Sequence, residues 1–221
     1  MSLLDARLSA VLDLIPQNAS LLDIGTDHCK LPAEGLLCGK LNKAFAADLR
    51  KGPLEAAERQ LAAVGLAGQV PLFLSDGLRS IPLEVLEQTD AVCIAGMGGE
   101  LIASIIENAP LVPPLWVLQP MSAVYELMDF LAKEGWALLD GRLAADKDKI
   151  YRIFTAEKAE GCHTPDYFSI FRKDPLYPAL LEKEERRVLL ALGGLMRAKE
   201  PNTERIQKEK DLLAQIRKAK K

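Results

Sequence analysis

A chain of 221 residues is long enough for one α/β domain with a small appendage, and 49% hydrophobic with 27% charged residues is the balance of an ordinary globular protein. A core of that size needs no staples, and the four cysteines (Cys29, Cys38, Cys93 and Cys162) have neither CxxC pairing nor regular spacing, which argues against a disulfide framework or a structural zinc and for reduced thiols. The net charge of −3 speaks against a generally basic nucleic-acid binder, yet from Leu176 onward 12 Lys and Arg stand against 7 Asp and Glu, a surplus of five that leaves about −8 for the rest.

Leu4, Leu8, Val11, Leu12 and Ile15 recur at helical spacing and stop at Pro16. Asp5, Arg7 and Asp13 make this segment too polar for a leader or a membrane span, no later apolar run is long enough to span, and a cytoplasmic location is expected. Short, nearly continuous apolar runs then dominate: residues 20–25 (SLLDIG), 44–48 (AFAAD), 70–76 (VPLFLSD), 91–96 (AVCIAG) and 115–119 (LWVLQ). Runs of this kind suit strands buried on both faces. Helical stretches over 32–39, 53–64, 100–108 and 123–134 separate or follow them, with Pro32 and Pro53 where a first turn tolerates proline. The alternation predicts an α/β fold with a doubly wound, Rossmann-like parallel sheet.

Two further runs, 136–144 and 149–156, have no helix between them and predict an antiparallel pair at the sheet edge, joined through 146–149. Residues 161–178, rich in Pro, aromatic and polar side chains, read as a linker, and His163 within it as a surface residue. Two charged amphipathic helices over 179–199 and 202–220, broken by Pro201, predict a helical hairpin or small coiled coil. The expected organisation is a catalytic domain over 1–160, a linker over 161–178 and a hairpin over 179–221.

In an open α/β sheet, ligands lie beyond the carboxyl ends of the strands. The first predicted strand ends in Asp23-Ile24-Gly25, the second in Asp48, the third in Asp76-Gly77 and the fourth in Gly96-Met97-Gly98-Gly99. A glycine at the first turn lets backbone approach a ligand, an acid ending the second strand can accept two ribose hydroxyls, and one ending the third can accept from an adenine amino group. An acid-lined crevice also suits a cationic sulfonium better than a pyrophosphate. The pattern points to an adenosyl cofactor with a positive centre.

The stretches DIGTDHCKLP (23–32), AADLRKGP (46–53), SDGL (75–78), IAGMGGELI (94–102) and LQP (118–120), with the basic two-helix tail, resemble the bacterial tRNA adenine-22 N1-methyltransferase family over nearly the whole chain. DxGxDHxxLP together with GMGG is a specific combination. The resemblance implies a methyltransferase that uses S-adenosylmethionine and no metal, has tRNA as its partner, and requires no membrane and no obligate protein partner. It implies cofactor contacts at Asp23, Gly25, Thr26, Asp48, Leu49, Asp76 and Gly77, a reaction pocket bordered by Asp27, His28, Gly96, Met97 and Gly98, and a tail that grips RNA. Two departures concern the acceptor: Lys30 stands where the family usually has tyrosine, and Met121-Ser122-Ala123 where it usually has Asn-Asn-Arg. They remove an aromatic platform and a phosphate-type arginine.

Three other readings stay open. A non-catalytic RNA- or protein-binding descendant of the fold, or a methyltransferase with another acceptor, accommodates the two departures. A nicotinamide-dependent oxidoreductase is suggested by Gly96-Met97-Gly98, although Leu101 occupies the third glycine position of that fingerprint and the following strand ends in Gln119 rather than an acid.

Overall fold

In the computed structural model, which describes residues 2–160, 166–198, 200 and 202–221, the apolar runs become adjacent strands of one seven-stranded sheet. After helix α1 (Ala6–Leu14), the elements run β1 (Ala19–Ile24), α2 (Lys30–Leu37), β2 (Leu41–Asp48), α3 (Lys51–Ala63), β3 (Leu72–Leu74), α4 (Leu83–Glu87), β4 (Ala91–Gly98), α5 (Gly99–Glu107), β5 (Leu115–Ser122), α6 (Val124–Lys133), β6 (Trp136–Asp146) and β7 (Lys149–Lys158). The spatial order is β3-β2-β1-β4-β5-β7-β6; β1 to β5 are parallel, and β7 runs antiparallel to both β5 and β6. The edge pair expected from the sequence is therefore present, with Asp146 opposite Lys149.

Continuous apolar sequence works here because both faces of the central strands are covered. Leu21 and Leu22 of β1, Val92 to Ile94 of β4 and Trp116 to Leu118 of β5 are fully buried. Three of the buried residues of β2 are alanines, Ala44, Ala46 and Ala47, and their small size lets α2 and α3 pack closely on the strand. Trp116 meets Trp136 edge to face at 6.1 Å, an arrangement aromatic quadrupoles favour, which ties β5 to the antiparallel edge.

Several boundaries differ from expectation, each for a physical reason. Only Leu72–Leu74 of the third run forms regular strand: it lies at the sheet edge, and Pro71, which has no N–H to give, offers only its carbonyl, to the Ala46 N–H at 3.1 Å. The short helix α4 follows Pro82, and five residues carry too little periodicity to be read. The largest difference is at the tips of β4 and β5, which continue beyond Gly96 and Gln119 to Gly98 and Ser122. The register slips on both sides of Met97: Ala95 faces Gln119, Met97 faces Pro120 and Gly98 faces Ser122. Gly96, at φ +81°, makes the bulge, so the GMGG segment is an irregular strand end rather than a free turn.

The chain divides into two compact units, Met1–Pro165 and Asp166–Lys221. In the second, Ser169–Phe171 forms a turn of 3-10 helix with Phe168 and Phe171 fully buried, so this part of the stretch read as linker is structured; Cys162 and His163 lie outside the described residues. Helices α7 (Tyr177–Arg197) and α8 (Thr203–Ala219) pair antiparallel, α7 starting two residues earlier than expected with Pro178 in its first turn. Leu180, Leu181, Val188 and Leu192 of α7 and Leu212, Leu213 and Ile216 of α8 are buried. Across the pair, Arg187 reaches Glu209 at 3.4 Å, and Glu185 takes Arg217 at 3.6 Å together with Lys220. Those cations hold the Glu185 carboxyl below its ordinary range. No helix among the described residues is long and apolar enough to cross a membrane.

Candidate active site

The strand order reverses direction between β1 and β4, and the crevice at such a switch point is where open α/β sheets hold ligands. On one side stand the tips of β1 and β2. Asp23 pairs across to Ala46 and Cys93 and is only 7% exposed. Burial pushes its carboxyl up to about 6; the Asp48 charge acts the same way, while the side chains of Thr26 and Cys93 and the charge of Arg7 oppose. Gly25 and Thr26 both donate their N–H to Ala47 O, at 2.8 and 3.1 Å, which curls the chain over the tip of β2. At φ +75° Gly25 occupies backbone space that disfavours side chains, and a Cβ there would run into Met97 Cε. Thr26 is 1% exposed, and its Oγ1, although close enough to favour the charged form of Asp23, completes no hydrogen bond among the described residues.

Asp48 ends β2 as a buried carboxylate; its Oδ1 accepts from the Arg50 N–H at 2.8 Å, and Leu49 beside it is 65% exposed. The next tip outward carries Asp76, half exposed and paired with Arg79 at 2.7 Å, and Gly77 at φ +57° against Ile105. Asp76, Gly77 and Arg79 line an open hollow whose far wall is Leu101, Ser104 and Ile105 of α5. Thus Asp23, Gly25, Thr26, Asp48 and Met97 form one cluster, while Asp76 and Gly77 border the adjoining hollow. Asp23 and Asp48 sense each other electrostatically; Asp76 is held by Arg79 instead.

The opposite side of the crevice is built from the ends of β4 and β5. Gly98 has no side chain to meet Ser122 Oγ, and Gly99 packs directly on the backbone carbonyls of Ser122 and Ala123. Met121 is 46% exposed. Beyond β1, Asp27 is largely exposed with His28 Nε2 at 3.3 Å, and His28 and Cys29 both adopt left-handed backbone, φ +60° and +53°, before α2 begins at Lys30. Among the described residues no group of His, Cys, Asp and Glu is arranged to hold a metal.

Two residues of this region escaped the sequence reading. Arg7 of α1 donates to Gln119 Oε1 at 2.6 Å, and Gln119 Oε1 also accepts from the Gly96 N–H at 3.1 Å. The available signal for Arg7 was its place on the same helical stripe as the buried Ala10, Val11 and Leu14, where a cation is out of keeping. For Gln119 it was a polar residue closing an otherwise apolar run.

A doubly wound sheet with buried acids at the β1 and β2 tips and glycines at β4 defines the class: a Rossmann-like domain suited to an adenosyl ligand. The match to known proteins is narrower. Residues 4–154 match the model of a methyltransferase domain family. The tRNA (adenine(22)-N(1))-methyltransferase of Bacillus subtilis (strain 168) is 33% identical over 190 residues, spanning 85% of this chain and 78% of that protein. The crystal structure of the B. subtilis m1A22 tRNA methyltransferase TrmK superposes with a TM-score of 0.81 at 27% identity, covering 98% of both chains. M. capricolum TrmK, solved in complex with the natural cofactor product S-adenosyl-homocysteine, gives 0.79 at 25% identity over 98% of this chain and 97% of that one. The chain belongs to the methyltransferase domain family, within the branch of the bacterial tRNA (adenine(22)-N(1))-methyltransferases.

Proposed function

We propose that this protein is an S-adenosylmethionine-dependent methyltransferase that methylates N1 of adenine 22 in tRNA, as its B. subtilis relative is named for doing. The observation that carries the reading is the buried Asp23–Gly25–Thr26 turn set beside Asp48 at the switch point of a sheet of this family. A cationic cofactor suits this side: it brings positive charge to two buried carboxylates and polar groups to a buried Thr26 hydroxyl that lacks a partner.

When bound, S-adenosylmethionine supplies an electrophilic methyl group on sulfur. Asp48 accepts from the ribose hydroxyls, Asp76 from the adenine amino group, and Asp23, Gly25, Thr26, Leu49 and Gly77 complete that half. The acceptor nitrogen is neutral and has a free lone pair, so no residue must first remove a proton from it. The task of Gly96, Met97 and Gly98 is to leave room for a flat base and exclude water, with gains that come from positioning. Asp27, with His28 beside it, and the backbone at Gly96–Gly98 stabilise the positive charge that the base acquires. The α7–α8 pair acts as a small coiled coil whose exposed lysines and arginines take tRNA phosphates. The protein acts in the cytoplasm without an obligate protein partner.

The test is labelled methyl transfer to unmodified bacterial tRNA followed by nucleoside and position analysis. One 1-methyladenosine at position 22 is expected; cofactor binding with no transfer, or a label elsewhere, overturns the assignment. Lys30 and Met121 favour a second reading, the same chemistry on a different RNA adenine, which the position analysis separates from the first.

A further inference from the structure

The roles given so far leave a buried polar contact unused. Gln119 is fully buried, and its amide is engaged on both sides: Oε1 accepts from Arg7 Nη1 at 2.6 Å and from the Gly96 N–H at 3.1 Å, while Nε2 donates to Pro120 O at 3.0 Å and reaches Met121 Sδ at 3.5 Å. Two donors face one end of the amide and two acceptors the other, so its orientation is determined by its partners. Arg7 reaches this point from α1, 112 positions earlier in the chain. Its ion-pair neighbour Asp5 is more distant at 3.8 Å, and Arg7 Nη1 also lies beside Gly96, where a Cβ would meet it in ordinary contact at 3.7 Å.

A guanidinium keeps its proton at any working pH and donates a charge-assisted bond, stronger than one between neutral groups. It also polarises the amide and tightens the bond that Gln119 accepts from Gly96. Bulged glycines are free to flex, and the register of β4 on β5 is broken on both sides of Met97, so the ladder alone does not hold this strand end. The Gln119 side chain supplies the missing restraint, and Arg7 fixes Gln119.

We propose that Arg7 is a positioning residue for methyl transfer: from the first helix it locks the Gln119 amide, and through it the Gly96 bulge and the Met121 side chain on the acceptor side of the crevice. The inference rests on the methyl-transfer reading above. It assigns α1 a part in the geometry of reaction rather than only in packing; the charge of Arg7 reaches Asp23 on the cofactor side, but among the described residues neither Arg7 nor Gln119 hydrogen-bonds to Gly25, Thr26 or Asp48.

The experiment compares wild type, Arg7→Met and Arg7→Lys by steady-state methylation of unmodified tRNA and by hydrogen exchange of the Gly96 amide in the full-length protein. Arg7→Met is expected to lower kcat between about tenfold and a hundredfold while the KM values for S-adenosylmethionine and tRNA stay within about threefold. The Gly96 amide is expected to exchange at least about tenfold faster, which a loss of stability elsewhere does not single out. Arg7→Lys, which retains a cationic donor group without the planar fork, recovers part of both and carries the same readouts should the methionine variant not fold. An unchanged kcat, an unchanged Gly96 exchange rate, or a loss confined to cofactor KM overturns the inference. Absence of methylated tRNA from the wild-type enzyme counts against the proposed function instead, and the Gly96 exchange comparison still decides whether Arg7 holds the bulge.

Discussion

The two sides of the crevice are made differently. On the β1–β2 side the register slips once, at the start of the strands between Ala19 and Ser20, and then runs regularly to the tips; backbone hydrogen bonds from Gly25, Thr26 and Ser75 tie each tip to its neighbour, and Asp23, Thr26 and Asp48 are all less than a tenth exposed. On the β4–β5 side the register slips twice, a glycine bulges, and Met121 is about half exposed. Non-glycine residues in left-handed backbone occur after strands on both sides, His28 and Cys29 after β1 and Ala123 after β5, each at a cost of roughly 1 kcal/mol. A small ligand with fixed hydroxyls and a fixed charge calls for rigid carboxylates. A flat base delivered by a macromolecule calls for room, apolar surface and a few restraints at the right places.

That contrast can be attacked from both sides. The largest effect is expected from Gly99→Ala, because the added methyl meets the carbonyl oxygens of Ser122 and Ala123, and backbone does not swing aside as a side chain does. A loss of about 3 kcal/mol in urea denaturation is expected. A normal midpoint would mean that the β4–β5 side is softer than described.

Asp23→Asn probes the buried side through pH. With its folded pKa near 6 against an ordinary 3.8, Asp23 binds its proton more tightly in the folded chain. Its contribution is therefore most favourable below pH 3.8 and is lost as pH rises through 6, leaving the ionised group destabilising by about 3 kcal/mol at pH 8. The asparagine variant, free of cofactor, should be more stable than wild type at pH 8 by up to that amount, should lose the advantage near pH 4, and should bind cofactor more weakly. Denaturation midpoints at the two pH values decide it.

Asp48→Ala is expected to weaken S-adenosylmethionine binding by about 1–3 kcal/mol in calorimetry, with little effect on the affinity for tRNA. The smallest change belongs to the hairpin. Lys210 and Lys218 are exposed on α8, and replacing both with alanine should reduce the slope of log affinity for tRNA against log salt by about 1–2 while leaving cofactor affinity alone. An unchanged slope would remove these two lysines from the RNA surface.

The same contrast governs what could be read in advance. The β1, β2 and β4 strands, with Asp23 and Gly25 at the β1 tip and Asp48 closing β2, were legible because buried parallel strands are continuous apolar runs that stop where a turn or ligand begins. The extended tips of β4 and β5 were not, since the bulge at Gly96 and its pairing across Pro120 depend on which strand lies alongside, a long-range fact with no local signature. Arg7 and Gln119 were missed for a similar reason: a polar residue on an apolar stripe announces that it has a partner without saying which. The unpartnered Thr26 hydroxyl is likewise visible only once its surroundings are packed.

Calorimetric titration of the purified protein with S-adenosylmethionine, and separately with NAD, tests most directly that the acidic crevice is an adenosyl-sulfonium site. Saturable one-to-one binding of S-adenosylmethionine that Asp48→Ala weakens, with no heat from NAD, is the expected result. Binding of NAD alone, or S-adenosylmethionine binding indifferent to Asp48, would contradict it.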